Sequence, residues 1–366
     1  MGGVSASPIE SYPRLGADLL KWYDLCARDL PWRRTQDPYG IWISEIMLQQ
    51  TRVDVVIERW LRFMERFPRV SELARAQEDE VLAEWAGLGY YRRARAIHAA
   101  ARVIMEQHDG VFPQTHKDVL DLPGIGPYTA GAITSIGFGQ QEALVDGNVE
   151  RVFARLFQLD EVTGSAPLKR KSWDLARELV PRTRPGDWNQ ALMELGATVC
   201  TPRNPDCEAC PARQICKCAD ALEATGYPRP KPPGEVIKLG VECLVIRREQ
   251  RVLLVRRPDA GRMGGLYELP TREVSWSSSE PPGIFPEQWP AGLESSEVEP
   301  LAQVSHTITK HRIQASICLG TAPRVPNQAL WAGPDDWARL GLSGMTSKAL
   351  SKSGVEIATL RADTRS

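Results

Sequence analysis

The chain has 366 residues, 42% of them apolar and 25% charged, and its formal net charge is −1; that length suits two or three domains with substantial cores. Residues 1–230 carry 28 Lys and Arg against 31 Asp and Glu, and the remainder 17 against 15, which excludes a chain that grips a polyanion by bulk charge alone. No apolar run approaches the ~18 residues of a membrane span, Met1 to Ser11 lacks the basic and apolar blocks of a signal peptide, and eight cysteines in the cytoplasmic protein so implied point to metal rather than disulfides.

In chain order, Leu15, Leu19, Leu20, Trp22, Tyr23, Leu25 and Cys26 give an amphipathic helix over 14–30 that stops at Pro31. A loop through Trp32-Arg33-Arg34 and Asp37-Pro38-Tyr39 precedes a helix from about Ile41 to Phe63. Leu73, Ala74, Val81, Leu82, Trp85 and Ala86 keep helical spacing until Gly87-Leu88-Gly89-Tyr90-Tyr91 breaks it, and it resumes from Arg93 to Gln107. Further helices are predicted from Val149, over 173–179 and over 188–200, so residues 1–220 read as all-helical. Thr225 to Gly234 is a proline-rich linker. Beyond it the pattern changes. Residues 241–246, 251–255 and 313–319 are strand candidates, 275–290 a Ser/Pro-rich loop and 335–340 a short helix. The expected organisation is an all-α domain over 1–224, a linker over 225–236 and an α+β domain over 237–366. Within the first, a part over about 37–145 is distinct from a second part made of the N-terminal helix and 146–220.

Between the helices lies Asp121-Leu122-Pro123-Gly124-Ile125-Gly126-Pro127-Tyr128-Thr129-Ala130. It reads as helix, tight hairpin, helix. Gly124 and Gly126 permit positive φ without steric cost, and backbone N–H groups beside a helix N-terminus suit a phosphate. Cys200, Cys207, Cys210 and Cys216 follow a C-x6-C-x2-C-x5-C spacing. One chelate pair flanked by two single cysteines suits a cubane cluster better than the two separated pairs of a zinc site; structural zinc and free buried thiols are the alternatives. Cys218 reads as a near neighbour rather than a ligand. Glu45 has Ile41, Trp42 and Leu48 at helical spacing, so desolvation should raise its pKa toward that of a general acid. Asp146 precedes the helix that contains Val149, as an N-cap would, where the helix end favours the ionised carboxylate.

Hairpin, helical domain and cysteine spacing together resemble the helix-hairpin-helix DNA glycosylases of the endonuclease III superfamily, and within it the MutY-type adenine DNA glycosylases. The matching stretches are Leu30-Pro31-Trp32-Arg33, Trp42-Ile43-Ser44-Glu45-Ile46-Met47-Leu48-Gln49-Gln50-Thr51, Gly87-Leu88-Gly89-Tyr90-Tyr91, Leu122 to Gly131 and Val145-Asp146-Gly147-Asn148-Val149-Glu150-Arg151-Val152. The resemblance implies one [4Fe-4S] cluster on the four cysteines. Its DNA partner is a duplex with adenine opposite 8-oxoguanine or guanine, bound by a monomer associated with the nucleoid. It also implies that Glu45 protonates adenine at N7 and later activates water, that Asp146 stabilises the oxocarbenium-like sugar, and that Asn148 orients both. The hairpin of Gly124 and Gly126 would grip the DNA backbone. Gln50 and Tyr90 match wedge positions for a flipped-out base, and Arg28, Trp32, Leu48 and Gln190 match an adenine pocket. Tyr128 stands where superfamily lyases carry a lysine nucleophile, which implies a monofunctional enzyme.

Residues 237–366 resemble the Nudix-like C-terminal domain of the same family. Gly264-Gly265-Leu266-Tyr267-Glu268-Leu269-Pro270 fits its turn, but the paired glutamates of a Mg²⁺-binding box do not follow, so pyrophosphohydrolase activity is not expected. Where the family carries a Phe-Ser-His loop for 8-oxoguanine, this chain has Ile308-Thr309-Lys310, with His311 reachable by a one-residue shift. The competing readings are an endonuclease III-like glycosylase/lyase and a non-catalytic iron–sulfur DNA-binding protein.

Overall fold

Residues 13–232, 234–258, 263–296, 300–333, 336 and 340–354 are described by the computed structural model; the N-terminal eleven residues discussed above and most of the helix expected over 335–340 lie outside them. The residues group into two units, one of Met1–Arg75 with Ala96–Pro232, the other of Ala76–Arg95 with Pro233–Ser366.

Through residue 224 the chain forms helices α1 (Pro13–Cys26), α2 (Pro38–Leu48), α3 (Val53–Arg66), α4 (Val70–Arg75), α5 (Glu78–Glu84), α6 (Arg92–Gln107), α7 (His116–Leu120), α8 (Pro127–Ala132), α9 (Gly147–Leu156), α10 (Ala166–Leu179), α11 (Pro185–Thr198) and α12 (Ala221–Ala224). The helix expected from Ile41 to Phe63 is two helices. Gln50 takes a φ of 59°, a left-handed conformation no helix interior accommodates, so α2 ends at Leu48 and α3 begins at Val53. Helix α8 runs on as a wider π-type turn over Ile133–Gly137.

Leu15, Leu19 and Tyr23 of α1 share one buried cluster with Val149, Val152, Phe153 and Leu156 of α9 and with Trp188, Leu192 and Leu195 of α11. The two ends of this unit's sequence are thereby joined in one core, and each of these side chains is worth about 1.5–3 kcal/mol when buried. The proline-rich stretch starts as part of the same unit: Thr163 donates its backbone N–H to the Arg229 carbonyl at 2.8 Å.

The second unit is built on strands β1 (Ile237–Val245), β2 (Arg247–Arg248), β3 (Arg251–Arg256), β4 (Tyr267–Glu268), β5 (Thr271–Trp276), β6 (Glu294–Ser295), β7 (Ala302–Ile308), β8 (His311–Thr321) and β9 (Ala329–Ala332), followed by helix α13 (Gly344–Lys352). β1 pairs antiparallel with β5 and parallel with β8, and β8 pairs antiparallel with β7 and β6. β3 pairs with β2, β4 and β9 in a smaller sheet. Alternation puts Leu239, Val241, Cys243, Ile313, Ala315 and Ile317 into one core with Met345, Ala349 and Leu350 of α13. Ser275 and Trp276, expected in a loop, belong to β5.

Candidate active site

Asp37 starts α2 by accepting the backbone N–H groups of Tyr39 (3.1 Å) and Gly40 (3.3 Å). Tyr39 through Met47 are all buried, because α2 is apolar nearly all round. Glu45 is the acid on that helix, 5% exposed. Burial pushes its carboxyl up to about 7; the hydroxyl of Tyr128, donating to Oε2 at 2.5 Å, and the charge of Arg33 pull the other way, and the charge of Asp146 adds to the rise. A carboxyl poised there holds a proton near neutrality and can release it, as general acid catalysis requires. The Tyr128 hydroxyl also lies 3.3 Å from Met193 Sδ.

Asp146 is the N-cap of α9, accepting from the backbone of Asn148 (2.9 Å) and Val149 (2.7 Å), while the Asn148 side-chain amide donates to its Oδ2 at 2.9 Å. Burial raises the Asp146 carboxyl, and the cap bonds with the Arg151 charge only partly offset it. Glu45 and Asp146 are therefore both desolvated carboxyls, each raised by burial. Asn148 is itself held: Arg151 donates to its Oδ1 at 2.9 Å and to the Gly196 carbonyl at 2.6 Å. Gly196 lets α11 pass this close, since a Cβ there would meet the Asn148 Cβ at 2.7 Å.

The pocket candidates occupy a second set of positions. Arg28 and Arg33 both clamp Glu194 of α11: Arg28 Nε and Nη2 donate to its two oxygens at 2.7 and 2.8 Å, and Arg33 Nη2 to Oε2 at 2.8 Å. The Glu194 side chain is fully inaccessible. Burial alone would raise its pKa, but the two guanidinium groups outweigh that and hold it at about 2. Arg33 thus has two roles, closing the Glu194 pair and placing a positive charge near Glu45. Trp32 is buried, edge-on to Trp60 at 6.1 Å. Leu48 is half-buried at the end of α2, and Gln190 is half-buried on α11, one turn before Glu194. Sequence reasoning missed Glu194, though its signal was the one that singled out Glu45: an acid in an apolar helical run, here Ala191-Leu192-Met193-Glu194-Leu195.

Both wedge candidates have strained backbones. Gln50 has φ 59° and Tyr90 φ 49°, a region that costs a non-glycine residue of order 1–3 kcal/mol and marks functional turns. Tyr90 is also 50% exposed. In the hairpin, Gly124 has φ 76° and its missing Cβ would lie 2.5 Å from the Ala96 Cβ. Gly126 does not use positive φ. It caps α8 at φ −108°, and the space a Cβ would fill is open, so what the residue supplies is room for another molecule to approach the backbone. Thr309 and Lys310 form the two-residue turn between β7 and β8. Thr309 has φ 52° and donates to the Ile308 carbonyl at 2.7 Å; Lys310 pairs with Glu235 at 3.3 Å. His311 is buried, with Nδ1 3.2 Å from the Ile308 carbonyl.

A family model described as the HhH-GPD superfamily base excision DNA repair protein matches residues 43–178, and a NUDIX domain model matches residues 242–352. The adenine DNA glycosylase of Homo sapiens is 34% identical over 397 residues, covering 90% of this chain and 72% of the human one. The adenine DNA glycosylase of Arabidopsis thaliana is 39% identical over 293 residues, covering 69% of this chain and 46% of the plant one. This chain belongs to the adenine DNA glycosylase family. Among solved structures, a thermostable thymine-DNA glycosylase superposes with a TM-score of 0.52 at 30% identity, covering 57% of this chain and 98% of that one.

Members of the family typically hold an iron–sulfur cluster. Cys200, Cys207, Cys210 and Cys216 line one pocket together with Arg155 and the buried Cys218. Among the described residues no group of three or more Cys, His, Asp or Glu converges on a single metal ion. Arg155 supplies compensating charge, with Nη1 3.3 Å from Cys200 Sγ. In the NUDIX-matched unit the acids near the Gly264–Pro270 turn are occupied. Glu268 is paired with Arg257 at 2.9 Å, and Glu273 accepts the backbone N–H groups of Ile284 (2.6 Å) and Phe285 (2.9 Å). No helix among the described residues is long and apolar enough to cross a membrane.

Proposed function

We propose that this chain acts as a monomer on duplex DNA, removing adenine mispaired with 8-oxoguanine or guanine by hydrolysing the N-glycosidic bond without cutting the backbone. The observation that carries the reading is the buried Glu45, lifted to about 7 beside Tyr128 and Asp146, within a chain of the adenine DNA glycosylase family. Glu45 would donate its proton to N7 of the extruded base, drawing electrons out of the glycosidic bond. The sugar then becomes an oxocarbenium-like cation. The Asp146 carboxylate, capping α9, would stabilise that cation. The Glu45 carboxylate left behind would take a proton from water as it attacks the sugar. Tyr128 carries no amine, so no Schiff base forms and no strand cleavage follows.

Arg28, Trp32, Leu48 and Gln190 would surround the adenine, while the strained Gln50 and Tyr90 would fill the stack it leaves. The amides of the Gly124–Gly126 hairpin would meet the DNA backbone, and Ile308, Thr309 and Lys310 at the β7–β8 turn would meet the opposite base. Cys200, Cys207, Cys210 and Cys216 would hold one [4Fe-4S] cluster, which when bound cross-links the loop from 200 to 216. A single-turnover assay on duplexes with adenine opposite 8-oxoguanine, guanine or thymine tests the reading. Adenine release from the first two, lost in Glu45→Gln and without strand breaks before alkali, is the expected result. Prompt strand cleavage, or no base release from any mispair, would overturn it.

A further inference from the structure

The sheet of the second unit has one face that is covered only along part of its length. On the side opposite α13, Leu244 and Cys318 are buried with Leu253 and Leu293. Four residues earlier along the same strands, that face is open: Gln314 and Ser316 lie beside Gly240 and Glu242, and Arg312 lies directly opposite Lys238 across the parallel β1–β8 pair. Thr307 is the partner of Arg312 on its other side, and Ser305 that of Gln314. The groove so formed is open to solvent and is lined by Lys238, Gly240, Ser305, Thr307, Arg312 and Gln314. The Gly240 floor stays low because a Cβ there would strike Ser275 Oγ at 2.3 Å.

The charge on this face is one-sided. Lys238 and Arg312 line the groove, and no Asp or Glu is among its lining residues; His306 pairs with the core residue Ile313 and points to the other face. Glu242, the nearest acid on the face, is taken by Arg272 at 2.8 Å. Like charges directly opposite one another on neighbouring strands repel, and both Lys238 and Arg312 are exposed with no ion-pair partner among the described residues. On a chain of net charge −1, an acid-free groove holding two facing cations beside hydroxyl and amide donors is complementary to a polyanion with regularly spaced negative groups.

We infer that this open sheet face is a DNA-backbone contact surface, with Lys238 and Arg312 as its anchoring cations on consecutive phosphates of one strand. The inference rests on the reading that the chain acts on duplex DNA and adds a surface separate from the chemistry at Glu45. Each phosphate neutralised steepens the dependence of log affinity on log salt by about 0.9.

The test uses the full chain and its Lys238→Ala/Arg312→Ala double variant, with affinity for a fully matched duplex and for an adenine–guanine mispair measured from low to moderate salt. The double variant should show a slope shallower by about 1.8 on both duplexes. Single-turnover adenine release at saturating protein should be unchanged, and Lys238→Arg/Arg312→Lys should restore the slope. Both side chains are exposed and unpaired, so thermal melting should match the wild type and exclude misfolding. An unchanged slope in the double variant overturns the inference. If the slope changes but the wild type releases no adenine from any mispair, the surface stands and the proposed activity falls.

Discussion

Replacing Glu45 by Gln should abolish adenine release and at the same time make the protein more stable at alkaline pH. Lifting the carboxyl from its ordinary 4.5 to about 7 means that the folded protein binds this proton more tightly than the unfolded chain does. Between those values the unfolded state is ionised while the folded state is not, so stability is lost as pH rises from 4.5 to about 7 and the deficit is constant above that. At 1.36 kcal/mol per pH unit, the displacement corresponds to roughly 3 kcal/mol in the fully ionised state. Gln fills the same volume and keeps an oxygen to accept the Tyr128 hydroxyl at 2.5 Å, without the charge. Urea unfolding followed by far-UV circular dichroism across this range reads the difference between variant and wild type. The variants should be equal near pH 4.5 and Glu45→Gln the more stable by roughly 2–3 kcal/mol at pH 8. A difference independent of pH, or one favouring Glu45 at pH 8, would refute the desolvated acid on which the chemistry depends.

Tyr128→Phe removes a hydroxyl that favours the ionised form of Glu45; the alkaline limb of the pH–rate profile should move to higher pH, as single-turnover rates at a series of pH values would report. Glu194→Ala leaves Arg28 and the mostly buried Arg33 without their shared carboxylate, and breaking such a buried pair costs about 3–5 kcal/mol; a fall in the urea midpoint measures it. Arg155→Met removes hydrogen bonds to the carbonyls of Cys200, Thr201, Pro202 and Tyr227. Iron should then be lost faster to a chelator, followed by the visible absorbance of the purified protein.

The sequence carried most of the helical unit, because burial on that side is periodic and its punctuation local. Asp37-Pro38 and Asp146-Gly147 are cap signals that need no tertiary context, and both caps form. The break after Leu48 was not legible: Gln50 has no intrinsic preference for positive φ, so the sequence there reads as uninterrupted helix. The second unit was harder for a different reason. β5 and β7 are half-exposed strands of mixed polarity, and they acquire their pairing from β1 and β8, which lie far away in sequence. Glu45 stood out because apolar neighbours on its own helix desolvate it. Its contacts were not legible in the same way, since Tyr128 hydrogen-bonds it from α8 and the charges of Arg33 and Asp146 act on it from other elements.

The arrangement also explains why a cysteine loop belongs in an enzyme whose chemistry is acid–base. Helix α9 begins at Asp146 and, less than three turns later, carries Arg155, which is 2% exposed and donates to the backbone of the cysteine loop. Arg151, between them, donates both to the Cys200 carbonyl at 2.9 Å and to Asn148, the residue that orients Asp146. A rigid helix transmits displacement with little loss, so a loop fixed at 200–216 fixes the N-cap carboxyl at the other end. Glu45 lies on α2 and is held by Tyr128 instead. The two carboxyls therefore depend on different supports, and only the Asp146 side is tied to the cysteines. Loosening that loop should therefore disturb the Asn148 contact to Asp146 and leave the Tyr128 hydrogen bond to Glu45 in place.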